Sequence, residues 1–569
     1  MIKSELIKIL NSVGVAGEIM FSTPPKSEMG DLSFACFDIA KIWKISPVDA
    51  AKKIVDVIAR SEATKQSQLI DKIEAIGPYV NFFLNTGTVA KIVLTDIKHV
   101  SSNYCCRREL DNKKTIIIEY PANNTHKELH VGHLRNICIG NALCKIFSAQ
   151  GFRVIPINYV NDFGAHVPKC LWGLKKFHAN EKPPKNKQKW LGEIYVEASR
   201  YLEAHPEEKD EVSKLLTKLE AHDRSIWPIY KKTRAWSLKG FKKIFAELHV
   251  KPKSEFYEKD TKPVGQKVVD ELIQKGIATV GDGGAIIIDL TKENLDIALL
   301  RKSNGAGLYL TSDFGLTLAK KRKYPNIAEN IYLTGIEQNF YFKQLFHVLQ
   351  LAGFNYKMKH IGYGLVSRLE GKMSSRLGNV LLYEDLRDEV VAKMCTETKE
   401  RHGDWGSRKI IKTGRALAFA AIKFEILKHE AEKNIVFDTK SVISFDGFTG
   451  PYVLYTVARI NSLVKKSKLG NYQQANLNLL QEQEEKKLIM ILSQWKEILL
   501  KAFVDYNPSV VVKYSFDLAK TYSEFYTKHR ILNAENSEIA RARLCLCVAV
   551  KQILEDALAI LDIATVPEM

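Results

Sequence analysis

The chain has little of what marks secreted, membrane-spanning or metal-stapled proteins. Nine cysteines are scattered over 569 residues without a single CxxC pair. Neither a disulfide framework nor a structural zinc site is expected, and the thiols read as buried groups in a reducing, cytoplasmic setting. No apolar run approaches the roughly 18 residues that a membrane span needs. The N-terminal stretch MIKSELIKILNSVGV carries Glu5 and Lys8 inside its apolar periodicity, so it reads as an amphipathic helix and not as a signal peptide. Internal repeats and extended low-complexity tracts are also lacking.

Apolar material is plentiful. Hydrophobic residues make up 46% and aromatics 9%, enough for several packed cores. At about 150 residues per domain, the length suggests about three to four domains. Positive charge is in excess: 84 lysines and arginines stand against 65 acids, a formal charge of +19. Such a balance points to a polyanionic partner, nucleic acid before membrane.

Helical stretches and one strand-like segment, Tyr79 to Leu84, fill residues 1 to about 105, and the polar stretch from Ser101 to Asn112 reads as a linker. Thr115 to Tyr120 is a continuous apolar run of the kind buried on both faces. A helical pattern follows from about Gly132 to Gln150, and a second strand from Arg153 to about Val160. Strand, helix, strand is a βαβ unit, whose ligands bind beyond the C-terminal ends of the strands. Between Lys169 and Lys189 lie seven lysines and one acid, Glu181, a stretch that reads first as a solvated insertion. Ala285 to Asp289 is another buried-strand signal, and from Tyr383 onward nearly everything has helical spacing. The fold class expected is α/β: a parallel-sheet domain at residues 106–385, enlarged by insertions at about 170–300, between an N-terminal α+β domain at 1–105 and an all-α bundle at 386–569.

Two short constellations carry chemistry. His130-Val131-Gly132-His133 follows the first buried strand and opens a helix. Two imidazoles one turn apart, at a helix N-terminus with free N–H groups, suit an anionic ligand. Gly132 lets such a ligand approach the backbone closely. Gly371-Lys372-Met373-Ser374-Ser375-Arg376, far along the chain, has the glycine, hydroxyls and cations of a loop that closes over a polyphosphate. Either stretch alone is a weak signal; in this order, on an α/β background, they reinforce each other.

Together they resemble the HIGH and KMSKS motifs of class I aminoacyl-tRNA synthetases, and the likeness narrows to the arginyl-tRNA synthetases. Glu119-Tyr120-Pro121-Ala122-Asn123-Asn124-Thr125-His126-Lys127-Glu128-Leu129 is similar to that family's approach to HIGH, and Tyr159 to Gly164 to its next strand and turn. Tyr309 to Asp313, Gly335 to Gln338, Thr449 to Tyr455 and the ending Val566 to Met569 follow in the family's order. Gly30-Asp31-Leu32 with Tyr79 to Phe82 resembles the family's additional N-terminal domain.

The resemblance implies a Rossmann-like catalytic domain, a DALR-type anticodon-binding bundle, and ligation of arginine to tRNA(Arg) through an adenylate, with ATP and its Mg²⁺ and no dedicated protein metal site. A monomer without a membrane partner is implied too. His130, Gly132 and His133 would contact ATP phosphates, and Lys372, Met373, Ser374, Ser375 and Arg376 would cover them. The second lysine of KMSKS is replaced by Ser375, and Lys127, just before HVGH, stands where the family supplies a substitute cation. Arginine's planar, permanently charged fork requires carboxylates. Glu119 and Asp313 match those acids, Tyr309 the aromatic beside them, and Asn124 and Gln338 the amides for the backbone groups. Glu119 could instead make a fold salt bridge, and Asp313 a helix N-cap. For tRNA, Tyr79 and Asn81 match the N-terminal domain's contact, and Tyr452, Tyr455, Arg459 and Met569 the anticodon reader. The two tyrosines equally suit core packing, and Met569 a frayed end.

Asn123, Tyr341 and Leu454 depart from the family's usual residues. A small-metabolite nucleotidyltransferase with an HxGH motif and a catalytically silent synthetase-like RNA-binding protein are the alternatives. The long helical C-terminus argues against the first, and the intact His130, His133, Lys372, Glu119 and Asp313 against the second.

Overall fold

The structure, a computed structural model, describes residues 2–60, 68–99, 114–303, 305, 307–368, 381–470 and 472–569. Strands β1 (Phe21–Ser22), β2 (Leu32–Ala35), β3 (Ile70–Ile76) and β4 (Tyr79–Leu84) form an antiparallel sheet in the order β1-β2-β4-β3, with three helices packed nearby. Gly30 has a φ of +114° and its backbone lies so close to Phe82 that a Cβ there would meet the Phe82 carbonyl oxygen at 3.0 Å. The neighbouring Asp31 carboxylate accepts from the Leu84 amide at 2.7 Å and pairs with Lys486 at 2.7 Å. The Gly30-Asp31-Leu32 motif thus fastens this domain to the C-terminal helices.

Strand β5 (Thr115–Glu119) is buried along its whole length, as its run of isoleucines predicts. It lies at the centre of a five-stranded parallel sheet with β6 (Arg153–Val160), β7 (Ser254–Tyr257), β11 (Ile327–Gly335) and β12 (Lys357–Tyr363), in the order β12-β11-β5-β6-β7. The chain steps outward from β5 to β6 and β7, then returns to β11 on the other side. The crevice between the ends of β5 and β11 is therefore the topological switch point. The predicted β5, β6 and connecting helix, here Val131–Ala149, are all found. Strand β9 (Ile286–Asp289) differs from its expected setting. It forms a small antiparallel sheet with β8 (Thr279–Val280) and β10 (Ile297–Arg301), and only one of its faces is buried. An isoleucine run alone does not distinguish the two environments. The predicted linker Ser101–Asn112 lies outside the described residues.

From Tyr383 onward the chain is helical, apart from the short strand β14 (Ile435–Phe437), which pairs in parallel with β13 (Val366–Arg368). Two polar clamps hold this bundle to the back of helix Val131–Ala149. Arg135 is fully buried and donates to the carbonyls of Gly364 at 2.7 Å and Glu430 at 3.0 Å. At the other end of the helix the buried Asp562 carboxylate receives Lys423 at 2.6 Å, Lys145 at 2.7 Å and the Asn141 amide at 3.1 Å. Burial alone would push this carboxyl up, yet the two ammonium groups hold it down at about 2. No helix among the described residues is long and apolar enough to cross a membrane.

Replacing Asp562 with alanine leaves the buried Lys423 with a backbone carbonyl but no counter-charge, so Asp562→Ala is expected to lower unfolding free energy by about 3 kcal/mol. Urea denaturation checks this, and an unchanged midpoint would contradict the clamp. Because the folded carboxyl is depressed, its stabilisation is present above the ordinary carboxylate range and is lost as pH falls through about 2.

Candidate active site

A cavity of about 250 Å³ opens at the switch point, lined by Asn124, His130, Gly132 and His133 on one side and by Gly335 and Gln338 on the other. His130 is the N-cap of helix Val131–Ala149. Its Nδ1 accepts from the Gly132 amide at 3.1 Å, while its own amide donates to His133 Nδ1 at 3.2 Å. With both Nδ1 atoms accepting, each neutral ring carries its proton on Nε2. Burial and then the Lys127 charge bring His130 down to about 4, and burial, His130 and Lys127 bring His133 well below its ordinary value. The pair is thus neutral at physiological pH, with one N–H donor on each ring. A Cβ on Gly132 would lie 2.8 Å from His130 Cε1, so a side chain there would push the imidazole from its cap.

Lys127 lines a second cavity, of about 480 Å³, together with Asn124, Glu128, both histidines, Tyr195 and Arg200. Its ammonium lies 4.5 Å from the centroid of the Tyr195 ring. The structure therefore brings Lys127, His130, His133, Gly132, Asn124 and Gln338 together. Lys372, Met373, Ser374, Ser375 and Arg376 lie outside the described residues.

A cluster of three acids, Glu119, Asp313 and Glu258, lies near this crevice, beyond the ends of β5 and β7. Glu119 is bonded by the fully buried Lys320 at 2.9 Å, and Lys320 also donates to the Tyr332 hydroxyl at 3.2 Å. The fold salt bridge is thus present at Glu119. Asp313 lies within helix Tyr309–Lys323, whose N-cap is Leu308, so it is not the capping residue. It accepts from the Tyr341 hydroxyl. Burial, together with Glu119 and Glu258, pushes Asp313 up to about 7 against the opposing effects of Tyr341 and Lys320. Burial pushes Glu258 to about 7 as well, and its Oε2 is buried without a hydrogen-bond partner. Tyr159 feels all three acids, which with burial raise its phenol well above the ordinary range. Tyr309 is 72% exposed and is not packed among them. It is the first residue of its helix, and Tyr341 holds the place against Asp313.

Sequence reasoning missed Glu258. Its signal was positional: it follows the last residue of β7, at the C-terminal end of a parallel strand.

The proposed RNA contacts divide. Tyr79 is 38% exposed and stands edge-on to Phe37 at 6.0 Å, but Asn81 is only 2% exposed, held between β2 and β3, and is not on the surface. Tyr452 is half-buried against Phe516 and donates to Ser523 at 3.2 Å, which is a packing role. Tyr455 faces outward, and Arg459 lies 4.7 Å from its ring and 4.9 Å from that of Tyr526. Met569 is half-buried and, with Tyr455 and Arg401, lines a cavity of about 150 Å³.

Family models match most of the chain. The class I (R) tRNA synthetase catalytic domain matches residues 96–439, the arginyl tRNA synthetase N-terminal domain residues 1–84, and the DALR anticodon binding domain residues 453–569. The arginine–tRNA ligase of Borrelia hermsii is 33% identical and covers 97% of this chain and 94% of its own. That of Clostridium acetobutylicum is 32% identical, covering 96% and 95%. The fold is similar to Thermus thermophilus arginyl-tRNA synthetase, with a TM-score of 0.80 at 22% identity over 100% of this chain and 99% of that one. It is also similar to the Plasmodium falciparum arginyl-tRNA synthetase, with a TM-score of 0.78 at 20% identity over 100% and 98%.

Asp313 and Glu258 hold protons up to about pH 7, and a cation seated against them would require them ionised. Arginine binding is therefore expected to release protons and to tighten as pH rises toward 7, levelling off above it. Calorimetry at about pH 6 and about pH 8, in buffers of different ionisation enthalpy, checks this. A pH-independent affinity without proton release would refute the coupling.

Proposed function

The chain belongs to the arginyl-tRNA synthetase family, and from that membership we propose how its residues share the work. It is an arginine–tRNA ligase, and it uses ATP. The observation that carries the residue assignment is that a helix start suited to phosphate and a cluster of buried carboxylates suited to a cation both lie beyond the C-terminal ends of the parallel strands.

In this reading Asp313 and Glu258 take the guanidinium, with Glu119, paired to Lys320, beside them. Asn124 and Gln338 hold the α-amino and carboxylate groups. The arginine carboxylate attacks the α-phosphate of ATP, forming arginyl-adenylate and releasing pyrophosphate. The 2′-hydroxyl of the terminal adenosine of tRNA then attacks the activated carbonyl and displaces AMP. No side chain acts as nucleophile; rate comes from positioning and from donors aimed where phosphate charge develops.

The Nε2–H groups of His130 and His133 suit the triphosphate, and their neutrality keeps them donors across the physiological range. Lys127 supplies the cation that Ser375 does not. Mg²⁺ enters with ATP. Among the described residues, the one group of His, Asp and Glu side chains within metal-ligand reach of each other is His205, Glu207 and Glu208, and it lines neither cavity. Lys372 to Arg376 would close over the leaving group.

Residues 1–105 and 386–569 are assigned to tRNA contact, and 106–385 to catalysis. The outward Tyr455 with its stacked Arg459 supports a role in reading anticodon bases, and Tyr79 a contact from the N-terminal domain.

Arginine-dependent ATP–pyrophosphate exchange, measured with and without tRNA, tests the reading. A nucleotidyltransferase or a silent RNA-binding protein would show no such exchange under either condition. Lys127→Ala is expected to slow exchange by about 10²-fold or more while changing arginine affinity little. An unchanged exchange rate in that variant would remove Lys127 from the mechanism.

A further inference from the structure

Lys127 is held at both its main chain and its side chain by one stripe of a single helix. Gln188, Gly192 and Tyr195 are spaced four and three residues apart on helix Lys187–Ala204, so they share a face. Buried Gln188 donates to the Lys127 carbonyl at 2.9 Å. One turn on, Gly192 lets the helix press against the next residue. A Cβ there would lie 2.4 Å from Glu128 Cγ and 3.0 Å from the Glu128 amide nitrogen. After a further turn, the centroid of the Tyr195 ring lies 4.5 Å from the Lys127 ammonium.

A lysine stem is flexible, and an ammonium free to wander contributes little to a reaction that depends on position. The face of an aromatic ring attracts such a charge without neutralising it, whereas a carboxylate in that place would cancel it. Tyr195 and Lys127 line the same cavity of about 480 Å³ as His130 and His133, so the ring keeps the charge beside the two imidazoles. Lys169, from helix His166–Phe177, approaches the same ring at 5.6 Å. Repulsion between the two ammonium groups opposes any swing of Lys127 toward that helix. One lysine of the insertion's basic stretch thus bears on the candidate site through a shared ring.

We propose that Tyr195 is a positioning residue, which aims the Lys127 ammonium across this cavity at the triphosphate beside His130 and His133. The proposal rests on the reading of Lys127 as the cation that Ser375 does not supply. Tyr195 acts only through that lysine.

Arginine-dependent ATP–pyrophosphate exchange on the full chain, with tRNA present, tests it as a double-mutant cycle. Tyr195→Leu removes the ring face and is expected to lower kcat about tenfold while leaving the KM for arginine unchanged. Tyr195→Phe keeps the ring and is expected to stay within about threefold of the parent. In a Lys127→Ala background Tyr195→Leu costs nothing further, because the charge it places is gone. Unaltered kcat in Tyr195→Leu would overturn the role, as would a Phe variant as slow as the Leu variant. The same fractional loss with and without Lys127 would overturn it too, since damage to the helix alone gives that result. Failure of the underlying reading would appear separately, as parental exchange in the Lys127→Ala chain.

Discussion

One buried carboxylate underlies the arrangement of the catalytic helix. Asp562, near the end of the described chain, collects Lys145, Lys423 and Asn141 at the back of the helix whose front end carries His130 and His133. Two opposing effects meet there. Burial favours the neutral acid, while two nearby ammonium groups favour the anion, and the depressed value of about 2 means that attraction wins. The difference from an ordinary aspartate corresponds to about 2 kcal/mol. Asn141 also accepts from the Tyr120 hydroxyl at 2.8 Å, so the network continues to the residue directly after Glu119. The C-terminal bundle is thereby connected to both halves of the candidate site through a short chain of polar contacts.

The site itself contains the opposite balance. Where Asp562 is satisfied by resident cations, Asp313 and Glu258 are left short of positive charge, and both are raised to about 7. Lys320 compensates Glu119 alone among the acids by direct contact. A pocket with unmet negative charge beside two neutral imidazoles distinguishes its two ligands by sign. One end of the cluster attracts a cation, and the other offers N–H donors on uncharged rings.

Much of this was legible in sequence, and the limits have physical causes. The run Thr115 to Glu119 reads as a buried strand because isoleucines on both faces have few other stable settings, and the helix and strand that follow end within a residue of their predicted limits. HVGH is local, so its capping geometry is encoded by neighbours. The carboxylate pocket is not local. Glu258 lies far along the chain from Glu119, and only the parallel pairing of β5, β6 and β7 unites them. In the sequence Tyr341 is only an unusual residue, and its hydroxyl partner Asp313 emerges from the fold. Asn81 shows the reverse error. Its expected contact with tRNA came from resemblance alone, and its position opposite Ser33 and Glu74 in the middle of the sheet buries it.

Arg135 has a consequence for how such proteins diverge. Its two partners are the carbonyl oxygens of Gly364 and Glu430, groups that every residue type possesses. Position 364 is further restricted, since a Cβ there would strike the Asn434 side chain at 2.7 Å. Position 430 has no such restriction from the clamp, which would survive any substitution that kept the backbone path. The linkage between catalytic helix and helical bundle therefore imposes no matched pair of residue changes, and pairwise covariation among related sequences would pass over it.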